Sequence, residues 1–223
     1  MHPYVVRRSR RARRVRVTVH PDRQVEVVLP QRAPQRAAAS AVEELAPWIE
    51  RRLRSLDRAH DELRRPAGTL PFLGTDLELL PQAGRTRVHR RGDTLLVPAK
   101  DPVPALERWY RAQARKVIAA KLDAATARAG TPYRALTIRG QRTRWASCSS
   151  NGGMSFNWRL LLAPEAVLDY VVEHEVCHLE VLDHSPGFWA LLAGRVPDYR
   201  EHARWLRRYG ATLVLDSARR SAA

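Results

Sequence analysis

Two histidines and one glutamate stand at a spacing that could bind a metal ion and activate a water. His174, Glu175 and His178 form the pattern H-E-x-x-H within residues 160–182, a segment that we predict to be helical. Residues i and i+4 of a helix project from one face, so both imidazoles could reach the same ion. Zinc accepts imidazole nitrogens, and a glutamate beside the first ligand can act as a general base. The pattern therefore indicates zinc-dependent hydrolysis.

A third protein ligand is expected, because a catalytic zinc usually has three together with a water. His184 follows the motif by six residues and could reach the ion only if the helix ends and the chain turns back. Pro186 favours such an end, although Val181 stands where the metzincin pattern H-E-x-x-H-x-x-G-x-x-H has its glycine. Glu201, on a later predicted helix, is the competing third ligand, and His202 is a weaker candidate. The residues alone favour His184 over Glu201.

The charge around the motif differs from that of the whole chain. The 223 residues include 39 Lys+Arg and 23 Asp+Glu, which gives a formal net charge of +16. Residues 160–184 contain six acidic residues and no Lys or Arg. We interpret this run as the negative surroundings of a cation site. Cys177 shares a helix face with both histidines and could close the site as a fourth ligand, although such a cysteine is more often a core residue.

Several elements must position the motif. Two short strands around an Asn-Gly-Gly turn are predicted within 143–158, before the motif helix, and two short helices at 185–196 and 197–210 follow it. A long helix at 102–129, capped by Gly130, and a strand at 133–140 lie further upstream.

The first part of the chain is predicted to be rich in strands. A helix at 35–63, which Pro47 could divide, interrupts these strands. The apolar alternation and turn residues predict strands at 15–19, 24–29, 85–90 and 94–99, and a loop plus strand at 66–80. We therefore expect an α+β protein with a strand-rich region at 1–100, a catalytic domain at 101–212 and a flexible tail at 213–223.

The composition of the chain limits which cellular compartment and which binding partners we expect. Cys148 and Cys177 are too few for a disulfide scaffold, and no apolar run approaches the roughly 20 residues of a membrane span. We expect a cytoplasmic protein that does not enter a membrane. Seven arginines between Arg7 and Arg16 are the best candidate surface for a nucleic acid, although a solvated hairpin face explains them equally well. The oligomeric state is left open.

Three segments resemble the YgjP-like metallopeptidases, which belong with the broader SprT/WLM group of zinc-dependent, zincin-like domains. The segments that carry the resemblance are TRWASCSS (143–150), MSFNWRLLLAP (154–164) and VVEHEVCHLEVLDHSPGFW (171–189). Softer similarity to the opening region of the family is found in RVRVTVHPDRQVEVVLP (14–30), APWIERRL (46–53) and FLGTDLEL (72–79). The resemblance extends from about residue 5 to residue 210.

The resemblance implies a zincin-like fold whose active-site helix carries the H-E-x-x-H motif. It implies one Zn²⁺ per chain, held by His174, His178 and His184, with Glu175 as the catalytic acid and base. Asp183 stands where the family is expected to have asparagine, which is a mild departure that leaves the neighbouring ligand in place.

The expected function is that of a zinc metallopeptidase acting on a peptide or protein. Arg144, Asn157 and Arg159 flank the predicted strands before the motif and are candidates to hold substrate or an oxyanion, although a structural role is the alternative for each. Two other functions are kept open. One is a nucleic-acid-associated zinc domain that acts on or docks to DNA-bound protein, and the other is a non-catalytic scaffold stabilised by zinc.

Overall fold

The computed structural model describes residues 2–141 and 144–215. Their contacts divide the chain into two compact units, Met1–Arg64 and Arg65–Ala223. The expected division into a strand-rich region at 1–100 and a catalytic domain at 101–212 stays a prediction. The described residues form six α-helices and ten strands in three small sheets, which confirms the expected α+β class.

The sheet of the first unit has three strands. The predicted hairpin is confirmed as β2 (Arg16–Val19) and β3 (Val25–Pro30), which pair antiparallel. The sequence analysis missed β1 (Tyr4–Ser9), which pairs parallel with the other edge of β3. Arginine-rich β1 has little apolar alternation, so the periodicity gave no signal for it.

Two helices complete the first unit, α1 (Arg36–Glu44) and α2 (Ala46–Glu62). The predicted helix at 35–63 is divided at Leu45, as the position of Pro47 suggested. Pro47 lies in the first turn of α2, where a backbone N–H has no helical partner to lose.

The second unit begins with a four-stranded sheet in the order β4-β5-β7-β6. The predicted hairpin at 85–99 is confirmed, and the segment at 66–80 contains a further hairpin. The strands are β4 (Thr69–Phe72), β5 (Thr75–Gln82), β6 (His89–Arg91) and β7 (Thr94–Pro98), and β5 pairs parallel with β7.

The core of this unit is built on α3 (Val103–Ala129). Its buried side chains recur every three or four residues and include Leu106, Tyr110, Ala114, Ile118 and Leu122. The helix ends as predicted at Gly130, whose φ of +68° is a conformation that only glycine adopts readily.

A second small sheet precedes the motif helix. It consists of β8 (Ala135–Arg139), β9 (Ala146–Cys148) and β10 (Gly153–Asn157) in the order β8-β10-β9. The antiparallel pairing of β9 with β10 confirms the hairpin predicted around the Asn-Gly-Gly turn. Because β9 pairs with β10 alone, it is an edge strand of this sheet.

The motif helix is shorter than predicted. We expected helix over 160–182, whereas α4 spans Glu165–Cys177. A 3-10 turn at Trp158–Leu162 and the extended backbone of Pro164 replace the first residues, because proline fixes its own φ and starts the helix afresh. The two predicted short helices are confirmed as α5 (Pro186–Arg195) and α6 (Tyr199–Tyr209).

The chain after α6 packs on the core as far as it is described. Leu213 and Leu215 are both buried, and residues 216–223 of the expected flexible tail lie outside the described residues. Among the helices that the structure describes, none is both long and apolar enough to cross a membrane.

Two glycines near the end of the chain should respond oppositely to alanine. A Cβ at Gly210 would lie 2.6 Å from the ring of Trp145, whereas a Cβ at Gly194 in α5 meets no atom within 4 Å. We expect Gly210→Ala to lower the free energy of unfolding by about 1–3 kcal/mol through overpacking. We expect Gly194→Ala to raise it by about 0.5 kcal/mol through helix propensity. Chemical denaturation measures both, and equal effects would contradict the close packing at Gly210.

Candidate metal centre

Three imidazoles converge at the end of α4. One nitrogen from each of His174, His178 and His184 lies within 4.8 Å of the other two, a grouping that could hold one metal ion. The Nε2 atoms of His174 and His184 are 3.2 Å apart. Two nitrogens bound to one tetrahedral zinc at about 2.0–2.1 Å lie roughly 3.4 Å apart, so this pair fits zinc closely.

The return of the chain to His184 depends on the early end of α4. After Cys177 the amides of Leu179 and Glu180 donate to carbonyls three residues back, which tightens the last turn. His184 therefore lies in a loop and not on the far side of a longer helix. Val181 does not adopt positive φ, so the turn forms without the glycine of the metzincin pattern.

Backbone contacts fix the state of one ligand ring. The Nδ1–H of His178 donates to the carbonyl oxygen of Val181 at 3.0 Å. A carbonyl oxygen only accepts, so the neutral ring carries its proton on Nδ1 and leaves Nε2 bare for an ion. The buried Nδ1 of His174 finds no partner among the described residues, so that ring is not fixed in the same way.

One phenyl ring contacts all three imidazoles. Phe188 is completely buried in α5, and its ring centre lies 4.5 Å from that of His178, 4.8 Å from His184 and 4.9 Å from His174. The sequence analysis missed this residue. Its position four residues after His184, on the helix that follows the loop, is the signal that could have found it.

Burial favours the neutral form of His174. It lowers the pKa of His174 to about 4, and the neighbouring His178 and His184 act in the same direction. Burial also lowers the pKa of His178. Lowered pKa values keep both rings uncharged at neutral pH, which is the state in which imidazole binds a metal.

Glu175 is a buried carboxyl beside the three rings. Burial raises its pKa to about 7, and a hydrogen bond from the backbone of Cys148 acts in the opposite direction. Its Oε2 atom is buried and has no hydrogen-bond partner in the part of the chain described. A carboxyl with a pKa near neutrality and one free oxygen is suited to general acid–base chemistry.

A cavity of about 270 Å³ joins these groups to the edge strand β9. Its wall is formed by Arg144, Ala146, Ser147, Cys148, His174, Glu175, His178, Leu182 and His184. The contribution of β9 was not predicted, because nothing in the sequence shows which edge of a hairpin faces the motif.

The competing ligands lie outside the histidine cluster. Exposed Glu201 is 3.9 Å from Arg204, and His202 is 3.1 Å from Asp198. Buried Cys177 accepts a hydrogen bond on its sulfur from Arg195 at 3.6 Å. None of the three proposed alternatives is grouped with the histidines in the described residues.

The three candidate substrate residues separate into two groups. Arg144 is exposed and lines the cavity. Asn157 is buried, and its side chain donates to the carbonyls of Gln141 and Arg144 and accepts from the amide of Arg159. The guanidinium of Arg159 lies over the ring of Trp158. Neither Asn157 nor Arg159 lines the cavity.

The acidic run of 160–184 has a different role from the one expected. Only Glu175 among its six acidic residues lines the cavity. Four others form ion pairs with cations elsewhere in the unit. These pairs are Glu165 and Asp169 with Lys121, Glu173 with Arg128, and Glu180 with Arg195. The run therefore anchors α4 to its neighbours and does not provide a broadly negative cavity.

The amino-terminal arginines lie on the first unit and are all exposed. Arg7 pairs with Glu26 at 2.7 Å, and Arg8 donates to the carbonyls of Gln31 and Ala33. The remaining side chains, those of Arg10, Arg11, Arg13, Arg14 and Arg16, form no ion pair or hydrogen bond with any described residue.

Comparison with known families agrees with this geometry. The YgjP-like metallopeptidase domain matches residues 13–209. The match covers most of the chain, so the chain belongs to the YgjP-like family, as the resemblance predicted. Membership implies a metal, typically zinc, and a peptide or protein substrate. Searches of curated proteins and of solved structures returned no significant match.

Substitutions of buried Asn157 and of exposed Arg144 should differ in their effect on the free energy of unfolding. Asn157→Ala leaves buried backbone groups without partners, so we expect it to lower the free energy of unfolding by about 1–3 kcal/mol. Arg144→Gln changes an exposed side chain and should alter stability by less than about 0.5 kcal/mol. Denaturant titration measures both. A stable Asn157→Ala protein would show that the three hydrogen bonds do not hold this segment.

Proposed function

We propose that this chain is a zinc-dependent metallopeptidase whose ligands are His174, His178 and His184 and whose general base is Glu175. The observation that carries the proposal is the convergence of three imidazoles beside one buried carboxyl whose Oε2 has no hydrogen-bond partner among the described residues. Zinc bound by these residues would lower the pKa of a water toward about 7 and polarise a substrate carbonyl.

Glu175 moves the proton in this scheme. Its Oε2 accepts a proton from the attacking water and then delivers it to the nitrogen of the leaving amine. The hydrogen bond from the backbone of Cys148 orients the carboxyl, and burial favours its protonated form between the two transfers. Arg144 stands at the wall of the cavity, where its guanidinium can contact a substrate carbonyl or carboxylate.

The edge of β9 offers a place for an extended peptide. Hydrogen bonds from Asn157 to Trp145 and from Ser149 to Gly153 direct the odd-numbered residues of this segment toward β10. The backbone of Ala146 therefore faces the open edge, where it can pair with a substrate main chain. Such pairing is independent of side chains and suits a peptidase.

The scaffold alternative requires a closed site with four protein ligands. Cys177 is the fourth ligand that the sequence offered, and its sulfur contacts Arg195 instead. A site of three histidines leaves a coordination position for water, which supports catalysis over a purely structural role.

Metal content and turnover separate the proposed roles. We expect about one zinc per chain in the wild type and in Glu175→Gln, and a large loss of zinc in His184→Ala. Turnover of casein should fall by about 10²–10⁴-fold in Glu175→Gln because the base is absent. Elemental analysis and a casein assay on the same preparations give both quantities.

Glu201→Ala is the matched control for this series. Glu201 was the competing ligand and lies outside the cluster, so this variant should keep its zinc and its turnover. Loss of zinc in Glu201→Ala, or full retention in His184→Ala, would overturn the ligand assignment. Full activity in Glu175→Gln would overturn the role of the base.

A second candidate function is contact with a polyanion through the first unit. It is favoured by the exposed arginines at 10–16 that have no partner among the described residues. Contacts of this kind are insensitive to sequence and weaken steeply with salt.

Salt-dependent binding of duplex DNA tests this second function. The triple variant Arg10→Gln, Arg11→Gln, Arg13→Gln should reduce the slope of log affinity against log salt by up to about 2.7, since each lost phosphate contact contributes about 0.9. The triple variant Arg51→Gln, Arg54→Gln, Arg58→Gln on α2 removes the same charge and should change the slope less. Equal losses in both variants would exclude a defined contact at the amino-terminal arginines.

A further inference from the structure

A second cavity, of about 530 Å³, lies beside the metal centre. Two aromatic rings and three arginines account for most of its lining, which consists of Trp189, Tyr199, Arg200, Ala203, Arg204 and Arg207. We call it the aromatic–arginine cleft. Its volume is in the range of cavities that bind small molecules or substrate side chains, about 300–1,000 Å³.

The cleft and the metal centre share one wall. The indole of Trp189 stacks on the imidazole of His184, with ring centres 5.4 Å apart, and on the ring of Tyr199, at 5.6 Å. Trp189 packs against His184 while 37% of it remains exposed. A molecule that packs on the indole of Trp189 is therefore separated from His184, a proposed zinc ligand, only by that indole.

The cations of the cleft come from one face of α6. Arg200, Arg204 and Arg207 are spaced at i, i+4 and i+7, so their side chains follow one line along the helix. All three are exposed. Like charges at this spacing repel each other, so an anion between them would be stabilised.

Few of the described residues neutralise these cations. Within the described part of the chain, the guanidinium of Arg200 contacts the ring and hydroxyl of Tyr199. Arg204 lies 3.9 Å from the carboxylate of Glu201, in a pair that is mostly exposed to solvent and therefore weak. For Arg207, the described residues supply neither an ion pair nor a hydrogen bond.

The lining selects the chemistry of the ligand. Guanidinium groups bind carboxylates through paired, charge-assisted hydrogen bonds, and the aromatic floor accommodates an apolar stem. A glutamate or aspartate side chain has both parts. Single-stranded nucleic acid usually stacks on several exposed aromatic rings along a groove, whereas Tyr199 is almost fully buried and only Trp189 presents an open face.

We propose that the aromatic–arginine cleft is a specificity subsite that binds an acidic side chain of the peptide being cut. The inference rests on the proposed peptidase function, because it places the substrate across both cavities. A peptide that enters the metal centre past His184 brings a neighbouring side chain over Trp189 and within reach of Arg204 and Arg207. Peptides with Asp or Glu beside the cleaved bond are therefore preferred substrates.

The test compares labelled peptides that are identical except for one Glu or Gln, with the acidic position moved along the chain. Binding is measured by fluorescence anisotropy with zinc-loaded, full-length Glu175→Gln protein, and hydrolysis is measured with the wild type. We expect one position at which the Glu peptide binds about tenfold more tightly than its Gln partner, as a charge-assisted pair predicts. At the same position the wild type should show a similar preference in kcat/KM.

The variant that tests the cleft is the double substitution Arg204→Gln, Arg207→Gln. We expect it to reduce the Glu over Gln preference from about tenfold to near one, while its zinc content stays that of the wild type. The matched control is Arg108→Gln, Lys116→Gln, which removes two exposed cations from α3. A preference that survives in the cleft variant, or that is lost equally in the control, overturns the proposal.

The binding and hydrolysis measurements distinguish failure of this proposal from failure of the proposed peptidase function. Preferential binding of the Glu peptide without hydrolysis by the wild type supports recognition of an acidic side chain by the cleft and refutes the peptidase function together with the role of the cleft in cleavage. Hydrolysis without any Glu preference supports the peptidase and refutes the cleft, and an absence of both binding and hydrolysis refutes both. An oligothymidylate that displaces the Glu peptide and binds the cleft variant more weakly would assign the cleft to nucleic acid instead.

Discussion

The site depends on the packing of one phenyl ring against three imidazoles. Three histidines can share an ion only if they are uncharged and close together, and neither condition is met by an isolated helix in water. Phe188 contacts all three rings, which excludes water from their inner faces. The desolvation that lowers the pKa of His174 has the same origin as the packing that brings the rings together. Geometry and protonation state therefore arise from one buried contact.

Charge around α4 is arranged so that the cavity holds a single carboxyl. The other acidic residues on the helix pair with Lys121 and Arg128 on α3 and thereby fix α4 on the core. Unpaired carboxylates in the cavity would attract cations without geometric selection and would raise the pKa of Glu175 further by repulsion. Neutral nitrogens beside one buried carboxyl favour a borderline metal such as zinc over calcium or magnesium, which prefer oxygen ligands.

The sequence predicted those features that depend on residues close together in the chain. Spacing placed His174 and His178 on one helical face with Glu175 beside the first of them, and turn residues located the hairpins and the end of α3. The sequence did not predict where α4 ends, since the apolar pattern continues beyond Cys177 while the backbone bonds have already tightened. The sequence could not show whether Asn157 contacts substrate or holds the backbone, because a polar residue at the end of a strand is compatible with both roles. The contact of Phe188 with the three imidazoles depends on how α5 packs against α4. The apolar periodicity of a sequence does not determine that packing.

The proposed third ligand, His184, differs from the other two histidines in the elements that position it. His174 and His178 are fixed by α4, whereas His184 lies in an exposed loop between helices. The carboxylate of Asp183 accepts a hydrogen bond from the backbone amide of Ser185, just before α5. Trp189, which belongs to α5, stacks on the imidazole of His184. The position of His184 is thus set by α5, and through Trp189 it is coupled to the cavity on α6. If a peptide bound in the proposed cleft moves this indole, its binding and the affinity of the histidines for a metal are coupled, and the coupling is reciprocal.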